Sequence, residues 1–125
     1  RMSVPVDLAA LRDRLDDFGA HPYLVSTNDD GSPHLTSVTV RFEGDALVAG
    51  TGRRTRQNLA ARPAVALLWP PAADPAYSLI VDVTAVVADG SEDALLTPRA
   101  AILHRVAGAP GDGPTCVPVD EAPGP

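Results

Sequence analysis

The stretch "HPYLVSTNDDGSPHLTSVTVRFE", His21–Glu43, decides the fold class. Two runs rich in β-branched and aromatic residues flank "DDGSP", Asp29–Pro33, which is a strong turn signal. The pattern predicts a β-hairpin, with one strand over His21–Asn28 and a second over His34–Glu43.

The second strand of this hairpin has two different faces, because side chains alternate along a strand. The face expected in the core carries Val38, Val40 and Phe42. The opposite face carries Ser37, Thr39 and Arg41. A row of hydroxyls ending in a guanidinium is a poor core face and a good ligand face, so we expect it to contact a ligand.

Further strands follow the hairpin at regular intervals. They are predicted over Ala46–Thr51, Ala64–Trp69, Tyr77–Asp89 and residues 115–119. Loops are predicted over residues 70–76 and before Cys116, and residues 120–125 form a tail.

Two helices are predicted outside this run of strands. The first covers residues 7–18, where Asp7 is a cap and leucines follow at helical spacing. The second covers residues 97–106, because Thr97-Pro98 provides a cap followed by proline at the first helical position.

The 125 residues are expected to form a single domain with its barrel core over residues 21–89. The many hairpins and short helices predict a mainly β protein, a small antiparallel barrel with attached helices.

Composition excludes several classes of chemistry. The net charge of −6 argues against nucleic-acid binding. All ten basic residues are arginine, which excludes a protein-lysine Schiff base and a Walker-type phosphate loop. A lone Cys116 predicts a reducing cytoplasmic location, and no stretch is long enough to cross a membrane.

The stretch "GTGRRTRQNLAARP", Gly50–Pro63, concentrates positive charge in an acidic chain. Arg53, Arg54 and Arg56 stand at the start of a predicted helix, with Thr55 as a plausible cap. Unpaired N–H groups and the helix dipole favour an anion there, and guanidinium forks bind phosphate. The alternative is a solvent-facing helix surface that pairs with acidic neighbours.

From about Tyr23 to Asp89, the chain resembles the pyridoxamine 5′-phosphate oxidase-like split-barrel flavoproteins. The matching segments, in order, are "YLVSTNDDGSPHLTSVTV", "LVAGTGRRTRQNLAARPAVALLW" and "YSLIVDVTAVV". The resemblance implies a six-stranded antiparallel split β-barrel of Greek-key type. It also implies a homodimer with a flavin in each groove between the subunits.

The resemblance also implies positions for the cofactor contacts. The strand that runs along the flavin corresponds to Thr36–Arg41, and the end of the next strand, Ala49–Thr51, would contact the ribityl-phosphate arm. The predicted contacts are Ser37, Val38, Thr39, Arg41, Gly50, Thr51, Arg53, Arg54, Thr55, Arg56, Trp69 and Ser78. Arg54 matches a family arginine, whereas Thr55 stands where a lysine is common.

The C-terminal region departs from the true oxidase, which closes over its substrate with basic residues. Here that region carries only Arg99 and Arg105, which argues against a vitamin B6 enzyme. Smaller actinobacterial relatives use FMN or an 8-hydroxy-5-deazaflavin coenzyme, and some bind haem. The resemblance therefore implies an oxidoreductase with FMN or the deazaflavin and a small-molecule substrate. The alternative is a non-catalytic protein that binds flavin or haem for storage or sensing.

Other reactive residues give no catalytic or metal-binding pattern. The three histidines do not have metal-ligand spacing, and His34 and His104 are the candidates if the ligand is haem. Trp69 covers a flavin ring or a dimer contact, or else belongs to the core or its rim. A buried Asp82 would need an arginine partner, for which Arg41 is a candidate.

Overall fold

A computed structural model describes residues 7–71, 77–105 and 116–120. Helix α1 spans Leu8–Phe18 and α2 spans Arg53–Ala61. The strands are β1 (Tyr23–Thr27), β2 (Pro33–Ser37), β3 (Val40–Glu43), β4 (Ala46–Gly50), β5 (Ala64–Trp69), β6 (Ser78–Val87), β7 (Asp93–His104) and β8 (Cys116–Pro118). Residues 72–76 of the loop predicted over 70–76, the predicted loop before Cys116 and the tail beyond residue 120 lie outside the described residues.

The strands form one antiparallel sheet in the order β2-β1-β5-β6-β7-β4-β3, with β8 paired to β7. The hydrogen-bonded ladder is open, because no pairing joins the two end strands β2 and β3. Only Val38 and Thr39 connect those strands along the chain, however, a span of at most about 11 Å. The sheet must therefore curl enough to bring the end of β2 close to the start of β3.

The prediction of one continuous strand over His34–Glu43 is wrong, because the segment forms two strands, β2 and β3. The amides of Val38 and Val40 donate to the carbonyls of Pro22 (3.0 Å) and Ala20 (2.8 Å). At this break the chain leaves its pairing with β1 and begins to pair with β4. A run of alternating residues does not show such a change of partner, because the alternation continues through it.

The predicted helix over 97–106 is wrong, since Asp93–His104 is a strand. It pairs with β6 along ten register positions, with one irregularity between Asp82 and Val83. Pro98 stands beside that irregularity, where a strand tolerates a missing N–H group. The Thr-Pro signal is local, and the long-range pairing with β6 outweighs it. Together with the split strand, this gives eight strands among the described residues instead of the six predicted.

The core lies between the inner face of the sheet and the helices. In α1, Asp7 caps the first turn through a 3.1 Å bond from the Ala10 amide, and Leu11 is fully buried. Gly19 ends the helix with φ of 88°, which a side chain rarely adopts. The indole of Trp69 is 1% exposed and donates to the Gly19 carbonyl at 2.9 Å, which ties β5 to this helix end.

The outer face of the sheet is apolar across four strands. In each cross-strand row, paired side chains lie on the same face. One row is Ser37–Tyr23–Leu68–Ile80, and the next is Leu35–Val25–Ala66–Asp82. Tyr23 is 42% exposed and Leu35 is 57% exposed. We call these two rows the outer apolar face.

Among the described residues, no helix has the length and apolar character that a membrane crossing requires.

Candidate functional site at the start of helix α2

Helix α2 begins without a side-chain cap. Gly52 is the N-cap residue in an extended conformation, and no side chain bonds to the first turn. The first helical bond runs from the Arg56 amide to the Gly52 carbonyl at 3.0 Å. The amides of residues 53–55 therefore have no acceptor within the helix. Such an end attracts an anion.

Thr55 is not the cap that the sequence predicted. It lies inside the helix as its third residue and is 3% exposed. The cap position falls three residues earlier, on a glycine, because the helix starts at Arg53 and not after the arginines. The arginines are consequently part of the first turn, where they surround the open amides.

The three arginines of this turn lie on two sides of the helix. Arg53 and Arg56 line a cleft of about 320 Å³ between α2 and the β6–β7 turn. The Arg56 Nη1 group donates to the Ser91 carbonyl at 3.0 Å, which leaves the other guanidinium donors available. Arg53 is exposed. We call the open amides of residues 53–55 with these arginines the cationic helix start.

Arg54 is exposed and lies on the side of the β1–β2 turn. Its positive charge interacts electrostatically with the Asp30 carboxylate in that turn. Hydrogen bonds from Ser32 and, to a smaller degree, the charge of Arg54 lower the pKa of the Asp30 carboxyl. Within the described part of the chain, Arg54 makes no hydrogen bond or ion pair, so its guanidinium donors are open to a ligand.

The other end of α2 is bound to the hairpin by side chains that sequence reasoning missed. Asn58 is 1% exposed, and its amide group donates to Ser26 Oγ (3.2 Å) and Asn28 Oδ1 (3.0 Å). Arg62 donates to the Thr27 carbonyl at 3.0 Å and to an Asp29 carboxylate oxygen at 2.8 Å. An asparagine within a short helix is the one signal, because it is unfavourable there unless its side chain is used.

The end of β4 leaves space in front of this helix. Gly50 is exposed, and a Cβ built there would meet nothing closer than Asp93 Oδ1 at 4.0 Å. A Cβ at Gly52 would meet nothing within 4 Å. Packing within the described part of the chain therefore does not require either glycine. Thr51 is 9% exposed, and its amide and hydroxyl both donate to the Glu92 carbonyl, so the hydroxyl oxygen can only accept from a ligand.

The hydroxyl row alternates as the sequence predicts. Ser37, Thr39 and Arg41 are exposed, whereas Val38 and Val40 are buried. Within the described residues the Thr39 amide makes no backbone hydrogen bond, although the amides on both sides of it do. Thr39 Oγ1 lies 3.1 Å from His21 Nδ1. Val38 can offer neither its side chain nor its amide to a ligand, while Thr39 offers an open amide.

The positive charge of Arg41 is partly neutralised by two nearby carboxylates. Its guanidinium lies 3.0 Å from Glu43 and 3.7 Å from Asp93, in pairs whose side chains are more than half exposed. These are the ion pairs that the structure gives it, instead of the predicted pair with Asp82. Such exposed pairs are weak, and a ligand anion can compete for the guanidinium.

Two predicted contacts lie far from the helix start. Trp69 is a core residue, as its indole bond to Gly19 shows. Ser78 pairs with His104 at the beginning of β6, whereas the cleft beside α2 lies at Val87. The nine steps between them span about 30 Å. Within one chain, Ser78 therefore cannot belong to the same site as the arginines.

The reactive side chains elsewhere do not form a larger cluster. His104 Nδ1 lies 3.3 Å from Cys116 Sγ on neighbouring strands, and both are half-buried. Among the described residues, no group of three or more His, Cys, Asp or Glu side chains is arranged to hold a metal ion.

No protein-family model matches the chain. Two mycobacterial proteins do: the uncharacterized protein Mb0449c of Mycobacterium bovis and the uncharacterized protein MT0457 of Mycobacterium tuberculosis. Each is 38% identical over 125 residues, and the match covers 88% of this chain and 86% of the relative. The chain belongs to their family.

Three solved structures with lower sequence identity identify the fold of this chain. An F420 reductase is 18% identical with a TM-score of 0.54, and the match covers 78% of this chain and 95% of the reductase. A haem-binding protein from Mycobacterium smegmatis is 17% identical with a TM-score of 0.58, covering 93% of this chain and 60% of that protein. ChuZ from Campylobacter jejuni is 10% identical with a TM-score of 0.57, covering 82% and 58%.

These three proteins share the split-barrel fold of pyridoxamine 5′-phosphate oxidase-like proteins, and this member of the mycobacterial family has it too. Identities below 20% make this a statement about the fold. It agrees with the mainly antiparallel sheet and two short helices described above. The chain spans only about three fifths of the haem-binding protein and of ChuZ.

Proposed function

We propose that the protein binds FMN or an 8-hydroxy-5-deazaflavin coenzyme and acts as an oxidoreductase on a small molecule. The observation that carries the proposal is the cationic helix start: an uncapped helix whose open amides are surrounded by Arg53, Arg54 and Arg56. A protein with a net charge of −6 has little reason to collect three cations there unless an anion binds.

The donor set fits the phosphate of such a coenzyme. Backbone N–H groups at a helix start bind phosphate oxygens directly. Arg54 and Arg53 are exposed and add charge-assisted bonds, and Arg56 is already held in place by its bond to Ser91. The open space at Gly50 and Gly52 leaves the path between phosphate and ring free of side chains.

The hydroxyl row fits the remainder of the coenzyme. It continues from the end of β4, because Val40 pairs with Ala49 and Thr39 is the next residue toward β2. Thr39 would donate its open amide to the ring system, and Ser37 would extend the polar surface. When bound, the coenzyme would supply hydride transfer, and the chain would supply binding, orientation and exclusion of water.

The outer apolar face supports a homodimer as part of this proposal. Exposed Tyr23 and Leu35 lie in the two mainly apolar rows that cross β2, β1, β5 and β6. Patches of this kind mark interaction surfaces.

Haem is the second candidate ligand, because one of the three solved structures with this fold is a haem-binding protein whose match covers 93% of this chain. His34 pairs with Ser26, which is bonded to Asn58 of α2, and would be the axial ligand. His104, the other candidate, pairs with Ser78 and lies as far from the arginines as Ser78 does. The arginines of the helix start would then bind propionate carboxylates. FMN and the deazaflavin fit the open amides better, since phosphate uses more donors than a carboxylate.

Titration of the purified protein with FMN, riboflavin, the deazaflavin coenzyme and haem, followed by ligand fluorescence or absorbance, tests the proposal. Riboflavin is the matched control, because it has the ring and ribityl arm of FMN without the phosphate. We expect micromolar FMN or deazaflavin binding, at least tenfold weaker riboflavin binding, and loss of that preference in Arg54→Ala. Equal affinities for FMN and riboflavin, or binding of haem alone, would contradict it.

A further inference from the structure

The pairing between β1 and β2 continues past the ends of both strands. The hydrogen bonds from the Val38 and Val40 amides keep the register that the ladder has at Tyr23. In that register His21 lies directly opposite Thr39, between the two bonds. Pairs of this kind, which share no backbone hydrogen bond, bring their side chains closest. His21 Nδ1 accordingly lies 3.1 Å from Thr39 Oγ1.

This pairing adds an imidazole to the surface that carries the hydroxyl row. Tyr23 faces Ser37 in the next pair on the same face, because alternate residues of a strand share a face. His21 and Tyr23 are both exposed, as are Ser37 and Thr39. The hydroxyl row therefore has a second row of polar side chains beside it. An imidazole changes its charge near neutral pH, unlike a phenol or a hydroxyl.

The hydroxyl of Thr39 has one hydrogen, and the imidazole decides where that hydrogen can go. A neutral imidazole accepts at one ring nitrogen, so Thr39 can donate to His21 Nδ1 and accept from another group. A protonated imidazole is a donor at both nitrogens. It then donates to Thr39 Oγ1, and the hydroxyl hydrogen of Thr39 becomes available to a ligand.

We propose that His21 is a positioning residue of the coenzyme site and that its protonation makes the Thr39 hydroxyl a donor toward the coenzyme ring. This role rests on the proposed function and adds to it a dependence of affinity on pH. The open Thr39 amide is already one donor at this place. The ring carbonyl oxygens of a flavin or a deazaflavin are acceptors, so a second donor strengthens binding. Affinity for the ring should therefore rise as the pH falls and the imidazole gains its proton.

Charged side chains border this pair on three elements of the described part of the chain. Arg12 and Asp16 of α1 line a cleft of about 440 Å³ together with Arg41 of β3, the next residue of the hydroxyl row. Glu43 of β3 and Asp93 of β7 pair with Arg41. Carboxylates and guanidinium groups ordinarily keep their charges between about pH 5.5 and about pH 8, whereas an imidazole does not. For a ligand that does not itself titrate, a change of affinity in that range therefore reports the imidazole.

The test is the riboflavin affinity of the full chain at about pH 5.5 and about pH 8, measured by fluorescence titration. Riboflavin is the probe because it lacks the phosphate of FMN, which itself changes charge at about pH 6. We expect wild type to bind riboflavin about fivefold more tightly at the lower pH, the size of one added hydrogen bond. His21→Asn keeps a hydrogen-bonding group beside Thr39 but does not change charge, so its affinity should be the same at both pH values.

Two substitutions of Thr39 form a matched pair in the same experiment. Thr39→Val removes the hydroxyl and keeps the shape of the side chain, whereas Thr39→Ser keeps the hydroxyl. We expect the serine variant to retain the dependence on pH and the valine variant to lose it. Thermal denaturation at both pH values checks that each variant is folded.

Equal riboflavin affinities of wild type at the two pH values would overturn this role of His21. So would a wild-type difference in His21→Asn, which would assign the effect to another group, or in Thr39→Val, which would show that the imidazole acts without the hydroxyl. If His21 only supports the fold, His21→Asn lowers the melting temperature and weakens binding by the same factor at both pH values, and that result also overturns the role.

FMN binding at about pH 8, where an imidazole is neutral, tests the proposed function separately. If FMN binds there and Arg54→Ala weakens it, the coenzyme proposal stands whatever the pH dependence of riboflavin binding. If neither FMN nor riboflavin binds at either pH, the proposed function and the role of His21 are both wrong.

Discussion

The two ends of helix α2 are both polar and both carry arginine, but their side chains make different contacts. At the C-terminal end, Asn58 and Arg62 bond to the β1–β2 hairpin through defined partners. At the N-terminal end, no side chain caps the helix, and Arg53 and Arg54 are exposed. The C-terminal end fixes the helix on the sheet, which leaves the N-terminal end free to meet a ligand.

This difference means that similar residues should give opposite results on mutation. Substitutions at the fixed end should lower the free energy of unfolding and leave ligand affinity to the folded protein intact. Substitutions at the open end should weaken ligand affinity and leave the free energy of unfolding unchanged.

The largest effect is expected from Asn58→Ala. The change removes two hydrogen bonds and leaves the buried Ser26 hydroxyl without its donor. A loss of this kind costs about 2 kcal/mol of unfolding free energy. Urea denaturation measures it, with Gln57→Ala at the exposed neighbouring position as the control, for which we expect less than about 0.5 kcal/mol. A loss for Asn58→Ala no larger than the control would contradict the view that this end holds the helix.

The next prediction compares Arg54, in the first turn of α2, with Arg62, the residue at its C-cap. Arg54→Ala should weaken FMN or deazaflavin binding about tenfold, equivalent to about 1.4 kcal/mol, without lowering the melting temperature. Arg62→Ala should lower the unfolding free energy by about 1 kcal/mol, because its bonds to Thr27 and Asp29 are lost, and should leave affinity unchanged. Fluorescence titration gives the ligand affinity of each variant, and thermal denaturation gives its stability. The comparison fails if both variants lose affinity equally.

The smallest effect concerns pH and Asp30. Since its pKa is lowered in the folded protein, by Ser32 and then by Arg54, Asp30 stabilises the fold above its unfolded pKa. That stabilisation is lost as the pH falls through the lowered folded value. Asp30→Asn should therefore melt below wild type at neutral pH, and the difference should shrink below about pH 4. Asp45→Asn, at another exposed turn, is the control and should not show this convergence.

Much of the fold was predictable, because the signals that carry it are local. The β1–β2 hairpin follows from a turn motif between two β-rich runs, and α1 follows from a cap and its leucines. The two errors both concern long-range pairing. A break in hydrogen-bond partners at Val38–Thr39 and the pairing of Asp93–His104 with β6 depend on strands distant in sequence.

The candidate site was predictable in composition but not in arrangement. The arginine cluster at the start of α2 is visible in the sequence, and the structure puts it there. The helix boundary decides which residue is the cap, and a shift of three residues moved that role from Thr55 to Gly52. Burial removed Trp69 from the site, and distance along β6 removed Ser78 from the same chain's site. Asn58 and Arg62 were missed because their partners lie in the hairpin.

One substitution addresses the open helix start most directly. At Gly52 a side chain meets no atom within 4 Å and φ is −81°, so replacement is sterically free. Gly52→Asp supplies the missing cap: its carboxylate would accept from the open amides and would repel an incoming phosphate. Gly52→Ala is the matched control, because it adds a Cβ without an acceptor.

The measurement is the FMN affinity of these two variants, beside their melting temperatures. We predict that Gly52→Asp binds FMN at least tenfold more weakly than Gly52→Ala while melting at the same or a slightly higher temperature. If Gly52→Asp binds FMN as well as the alanine variant, the open amides of α2 do not bind the phosphate, and the account of this site is wrong.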